Sequence, residues 1–198
     1  MAASNQPVYV VDGARTPFLK ARNRPGPFAA SDLATQAGRA LLKRMPFEPD
    51  ALDEVILGCA SPSPDEVNIG RVVALRLGCG LKVPGWTVMR NCASGMQALD
   101  SALTNIRAGR SSLVLAGGVD ALSRAPLLYS DKMVLWFANL SAAKSFGQRA
   151  SAFLRLRPAE GRRKDYFGTR GDRPLIRSAT TLACSRACTA SSRRRFAS

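Results

Sequence analysis

An α/β fold with a mostly parallel sheet is predicted by two observations. Short runs of β-forming residues alternate with stretches of helical period between residues 8 and 119. Strands separated by helices of that length pair in parallel through right-handed crossovers. The 198 residues, 46% of them apolar, suffice for one domain with a real core.

The elements follow in order. Val8–Val11 is an all-β-former run, as expected of a buried parallel strand. Ser31 is placed to N-cap a helix whose stripe is Leu33, Ala37, Ala40 and Leu41, closed by Pro46. Glu54–Cys59 reads as the second strand. Ile69, Val72, Val73 and Leu77 give the next helix, with Gly78 as its C′ residue. Trp86–Met89 is the third strand. Met96, Leu99, Leu103 and Ile106, at spacings of 3, 4 and 3, mark a third helix that Gly109 ends. Ser112–Ala116 is the fourth strand and runs into Gly117 and Gly118. From Arg124 to Arg157 the apolar residues lose a clean period, and the reading there is an extended excursion with a short helix around residues 142–155.

Composition narrows the function classes. No apolar run reaches the roughly 18 residues a membrane helix needs, and Met1–Pro7 lacks a basic segment leading into an apolar one, so a secretory signal is not expected. Five cysteines, at 59, 79, 92, 184 and 188, are odd in number and sparse. They read as thiols of a reducing cytoplasm, with no disulfide framework and no metal site. Of the formal charge of +15, residues 158–198 supply +7, from 10 basic against 3 acidic residues. That stretch keeps neither strand nor helix period, and its small polar composition predicts disorder or weak structure. Residues 1–123, 124–157 and 158–198 are therefore read as a βαβ domain, an excursion and a basic tail. Arg193–Arg195 offer phosphate contacts, but without interleaved aromatics a solvated tail is the better reading and nucleic acid the last-ranked partner.

The chemistry gathers at Asn91-Cys92-Ala93-Ser94-Gly95. In an open α/β sheet, ligands meet the carboxyl ends of strands, and Cys92 falls there, in the expected first turn of a helix. Unpaired N–H groups and the positive end of the helix dipole favour a thiolate and suit an oxyanion. Two readings stand on these residues alone: a nucleophile, or a small cysteine buried at a strand–helix junction. Cys59 follows a strand and a glycine, and Cys79, between Gly78 and Gly80, looks like a turn. The chain contains no histidine, so the usual base for a catalytic cysteine is missing. Asp12–Pro17 reads as a strand-to-loop turn with a surface Arg in preference to an anion site. Gly117-Gly118 reads equally as a place of ligand approach or of close backbone packing, and the small residues Ala93, Ser94 and Gly95 let another backbone or an acyl chain come close.

Three stretches together resemble the thiolases, the acetyl-CoA C-acyltransferases. They are Val10-Val11-Asp12-Gly13-Ala14-Arg15-Thr16-Pro17, Asn91-Cys92-Ala93-Ser94-Gly95-Met96-Gln97-Ala98, and Ala116-Gly117-Gly118-Val119-Asp120-Ala121-Leu122-Ser123-Arg124-Ala125-Pro126. Their order and spacing cover about residues 6–157, and Asp120 stands where many thiolases carry Glu. The resemblance implies an incomplete βαβαβ half of a five-layer fold, with residues 124–157 beginning an inserted loop domain. It assigns Cys92 as the nucleophile that takes an acyl group from a 3-ketoacyl-CoA and passes it to coenzyme A, with no metal or prosthetic group. CoA thioesters are the implied substrates, and a homodimer or an intact thiolase the implied partner. The family's activating His, its second Cys in a Cys-x-Gly motif and its oxyanion segment belong to a second half that matches nothing here. Cys184 and Cys188 do not stand in Cys-x-Gly. A truncated, inactive chain with little or no thiolase turnover, or a non-catalytic interaction protein, is expected. A reading-frame shift near residues 158–161 accounts for the abrupt end of the resemblance. It is tested by reading the encoding DNA beyond codon 158 in all three frames: no thiolase sequence in another frame would exclude it.

Overall fold

A computed structural model describes residues 7–20, 25–126, 129–154, 177–178 and 180–187. In chain order the elements are β1 (Val8–Arg15), β2 (Leu19–Lys20), α1 (Ala30–Leu42), β3 (Glu54–Gly58), α2 (Ile69–Leu77), β4 (Gly85–Val88), α3 (Ser94–Arg107), β5 (Leu113–Val119), α4 (Asp131–Ala142), α5 (Phe146–Leu154), β6 (Arg177–Ser178) and β7 (Thr180–Ala187). The described residues of Met1–Ala125 and Leu175–Ser198 form one compact unit, and those of Pro126–Pro174 a second.

The first unit is built on a five-stranded sheet of order β1-β7-β5-β3-β4. β3 pairs in parallel with β4 and with β5, so the predicted parallel α/β core is present. Period-2 alternation sorts its side chains. Val55, Leu57, Leu113 and Leu115 face α1 and α2, where they join Leu33, Leu41, Ile69, Val73 and Leu77. Ile56, Val114 and Ala116 face the other way, onto Ala98, Ala102 and Ile106 of α3. Strands buried on both faces read as continuous apolar runs for this reason.

Gly78 ends α2 in the left-handed region, at φ 85°, as the C′ position requires. The α3 C-terminus is tied down by a buried carboxylate: Asn105 Nδ2 and Ser111 Oγ donate to Glu54 Oε1 at 2.8 and 2.7 Å, and Trp86 Nε1 donates to Oε2 at 3.1 Å.

Five expectations are corrected. β1 is an edge strand that pairs antiparallel with β7, not a buried parallel one. Tyr9, Val10 and Val11 are accordingly exposed, because a run of β-formers does not tell edge from centre. Second, Ser31 does not cap α1. Ala29 is the N-cap residue, and its N–H donates to the Asp32 carboxylate at 2.9 Å. Ser31 is buried in the first turn, where its hydroxyl donates to Glu66 and accepts from Arg76. Third, α3 buries the predicted Met96–Leu99–Leu103–Ile106 stripe only in part: Ile106 is buried and Leu99 packs partly buried against the core, but Met96 is exposed. Its sheet-facing residues are Ser94, Ala98, Ala102 and Ile106, and Met96 is 71% exposed. Large side chains there would hold the helix off the glycines beneath it.

Fourth, within the stretch read as disordered or weakly structured, Thr180–Ala187 is a strand lying antiparallel between β1 and β5. The β5 edge supplies a complete ladder that a local period does not reveal. Residues 155–176, 179 and 188–198, including Cys188 and Arg193–Arg195, lie outside the described residues. Fifth, the described residues of the second unit hold two helices where one was expected. α4 is N-capped by Ser130, whose hydroxyl accepts from the Met133 N–H at 3.3 Å. None of its residues is buried, so no apolar stripe announces it. Phe137 packs edge-on with Tyr129 and Trp136.

Candidate active site

Cys92 lies in the turn that carries the chain from the carboxyl end of β4 into α3. The helix begins at Ser94 with Ala93 as N-cap residue, so Cys92 sits one residue ahead of the cap and not in the first turn. The turn closes on itself: the Ala93 N–H donates to the Arg90 carbonyl at 3.0 Å, and the Ser94 N–H to the Asn91 carbonyl at 3.1 Å. These two amides are therefore occupied and do not face an anion. Asn91 adopts φ 48°, in the left-handed region that Asn tolerates better than most non-glycine residues.

Two strand glycines set the height of α3 above the sheet. A Cβ on Gly58 would fall 2.2 Å from the Ser94 carbonyl carbon and oxygen, and one on Gly118 would fall 2.7 Å from the Gly95 Cα. Only glycine admits this approach. The strands' carboxyl ends thus carry the start of α3 in direct backbone contact, and Cys92 is held at the rim. Of the two readings open for Gly118, close backbone packing is the one seen, against Gly95. Ser94 and Gly95 admit the close backbone approach expected of small residues after Cys92, whereas Gly58 went unnoticed in the sequence, although a glycine ending an otherwise apolar strand is the signal for such contact.

The three cysteines with described side chains divide sharply. Cys59 is fully buried, and its thiol donates to Asp120 Oδ1 at 3.4 Å. Burial first, and then the Asp120 carboxylate, push that thiol up to about 12. Cys79 is buried between two left-handed glycines, and burial raises its pKa as well. Cys92 alone of the three is exposed, which removes the buried-packing reading for it.

Asp120 closes the neighbouring loop. Its Oδ1 also accepts the N–H groups of Ala60 and Ser61, at 2.9 and 3.0 Å. Desolvation nevertheless raises the carboxyl above the ordinary aspartate range. Asp12, in the first quoted motif, pairs with Arg44 at 2.8 Å, and Arg15 stacks over Phe18 with its Cζ 4.6 Å from the ring centre. Both are surface contacts. Among the described residues no cluster of His, Cys, Asp and Glu side chains has the makings of a metal site, and no helix is long and apolar enough to cross a membrane.

The fold is thus an α/β fold with an exposed thiol at the carboxyl end of a parallel strand, beside a helix start. The model of the thiolase N-terminal domain matches residues 8–150, and the chain belongs to the thiolase family. It is similar to the mitochondrial trifunctional enzyme subunit beta of Homo sapiens, 35% identical over 150 residues that cover 76% of this chain and 32% of that one. It is similar also to the beta-ketoadipyl-CoA thiolase of Pseudomonas knackmussii, 42% identical over 121 residues covering 60% and 30%. The chain thus spans about a third of the length of these curated relatives. Among solved structures it matches an acetyl-CoA acetyltransferase of Bacillus anthracis with a TM-score of 0.66 over 94% of this chain and 66% of that one, at 19% identity. That likeness speaks for the fold.

Proposed function

We propose that the chain carries the nucleophile-bearing part of a thiolase-type acyltransferase, with Cys92 as the residue that receives the acyl group. The observation behind this reading is the exposed thiol of Cys92 at the β4–α3 turn, inside the stretch that matches the family. In the thiolysis direction the Cys92 Sγ attacks the C3 carbonyl carbon of a 3-ketoacyl-CoA. The C2–C3 bond breaks, and its electron pair takes a proton to give acetyl-CoA. The thiol of coenzyme A then attacks the Cys92 thioester and restores the cysteine. Splitting one hard step into two in this way is the advantage of covalent catalysis.

The protons in this sequence need an acid and a base. The 198 residues contain no histidine, and the buried Cys59 keeps its proton well above neutral pH. The polypeptide by itself therefore completes at most the first half-reaction. Mass spectrometry after incubation with acetyl-CoA tests the acyl-acceptor role, since exchange of its thioester onto Cys92 releases coenzyme A and leaves the acetyl group on the protein. Acetyl label on Cys92, absent from Cys92→Ser, supports the reading, whereas failure of Cys92 to acquire label overturns it. Robust multiple-turnover thiolysis by the same polypeptide would overturn the half-reaction limit.

A second reading, a non-catalytic partner of an intact thiolase or of itself, is favoured by the exposed apolar residues Tyr9, Val10, Val11 and Met96. Co-purification with a full-length thiolase separates the two readings: stable pairing without acyl label on Cys92 selects the second.

A further inference from the structure

The hydroxyl of Ser94 fastens the turn that presents Cys92. It accepts the Arg90 N–H at 2.8 Å and donates to the Asn91 carbonyl at 2.7 Å. One side chain, 2% exposed, thereby grips the peptide before Arg90 and the peptide that joins Asn91 to Cys92. The second grip matters most. A trans peptide is planar, with its C=O and N–H pointing opposite ways. Fixing the Asn91 carbonyl toward Ser94 therefore fixes the Cys92 N–H away from it, together with the Cα from which the thiol projects.

The grip is needed because the turn is otherwise marginal. Asn91 sits at φ 48°, a conformation that costs a non-glycine residue energy unless its surroundings hold it. The carbonyl of Asn91 already accepts the Ser94 N–H, so the hydroxyl gives it a second donor on the same residue. Ser94 cannot shift to follow a loosened turn, since its own backbone rests on Gly58. A loose surface cysteine would sample many directions, whereas this one is tied through two hydrogen bonds to a buried point of the sheet.

From this geometry we infer that Ser94 is the positioning residue of the thiol. It sets the Asn91–Cys92 peptide and leaves the chemistry to Cys92. The inference rests on the acyl-acceptor reading for its functional meaning, but its structural content stands apart.

The test compares wild type with Ser94→Ala and Ser94→Thr, on two readouts. Amide hydrogen exchange at Arg90 is expected to quicken about ten-fold in Ser94→Ala relative to Leu103 in the middle of α3, the loss of one net hydrogen bond. In Ser94→Thr, which keeps the hydroxyl, it stays within about three-fold of wild type. Acetyl-CoA labelling of Cys92 is expected to slow about ten-fold in Ser94→Ala and to recover in Ser94→Thr. If Arg90 and Leu103 quicken equally, or Ser94→Thr behaves as Ser94→Ala, the hydroxyl has no special role and the inference fails. Labelling equally fast in Ser94→Ala and wild type overturns it too. If wild-type Cys92 takes no label while the Arg90 effect is present, the acyl-acceptor reading fails and the anchoring of the turn stands. Should Ser94→Ala not fold, Ser94→Cys replaces it. That near-isosteric change, with a weak donor, is expected to lie between the two on both readouts.

Discussion

The two faces of the central sheet are built on opposite plans. Toward α1 and α2, the strands present Val55, Leu57, Leu113 and Leu115, which interlock with Leu33, Leu41, Val73 and Leu77. Toward α3, they present Ile56, Val114, Ala116 and the bare backbone of Gly58 and Gly118, against Ala98 and Ala102. The first face gains from bulk, because burying large side chains stabilises by area removed from water. The second trades bulk for proximity, because small residues let a helix start lie directly on the strand ends. The thick face supplies stability, and the thin one holds a turn in place.

Leu57 and Gly58 are neighbours in β3 that point to opposite faces, so they break the comparison cleanly. Leu57→Ala leaves a cavity in the thick face and is expected to cost about 3 kcal/mol in urea unfolding. The alkylation rate of Cys92 in the folded protein should not change. Gly58→Ala is the reverse experiment. Its methyl meets the Ser94 backbone and cannot escape by changing rotamer, so a cost of about 2 kcal/mol is expected, together with a changed alkylation rate at Cys92. If Leu57→Ala alters Cys92 as strongly as Gly58→Ala does, the division of labour between the faces is wrong.

The thick face was legible in the sequence, and the thin one only in part, through the small residues at Ser94, Gly95 and Gly118. Ile69, Val73, Leu77 and the Gly78 stop fixed α2, and the β-former runs located β3, β4 and β5, because apolar side chains at a regular period announce themselves. α3 was found, but its buried face was misread in part. A search for large apolar residues selects Met96, Leu99, Leu103 and Ile106, whereas the geometry buries only the last of these, beside Ser94, Ala98 and Ala102. Close approach is written in the absence of side chains, which periodicity does not register. β7 was illegible for another reason: its partner strands, β1 and β5, lie far off in sequence, and strand pairing of that kind leaves no local trace. Cys92 itself was legible as a position. Its exposure and its place ahead of the helix cap were not.

A smaller effect sharpens the contrast between the cysteines. Iodoacetamide at pH 8 should modify Cys92 at least about ten times faster than Cys59 or Cys79, since the thiolate is the reacting species and needs access. Burial raises the thiols of the latter two. Peptide mapping of the alkylated protein reads this directly, and a Cys79 that reacts as fast as Cys92 would remove the claim that the turn presents a distinctive thiol.

The smallest expected effect concerns Asp120, where the ends of β3 and β5 are joined. Its carboxyl is raised above the ordinary range because desolvation outweighs the donors on Oδ1. A carboxyl raised on folding binds its proton more tightly in the folded state than in the unfolded one. Its favourable contribution is then fully present below the unfolded value near pH 4 and is lost as pH rises through the folded value. Asp120→Asn keeps an acceptor for the Ala60 and Ser61 amides and has no charge to desolvate. Its stability relative to wild type is therefore expected to increase from pH 4 to pH 7. Asp120→Ala, which leaves those two amides without their acceptor, is expected to cost about 1–3 kcal/mol at both pH values, more than the gain in Asp120→Asn. Paired urea melts at pH 4 and pH 7 decide the point. If Asp120→Asn loses ground relative to wild type as pH rises, the carboxylate is stabilised where it sits, and its hydrogen bonds, not its burial, govern that corner of the site.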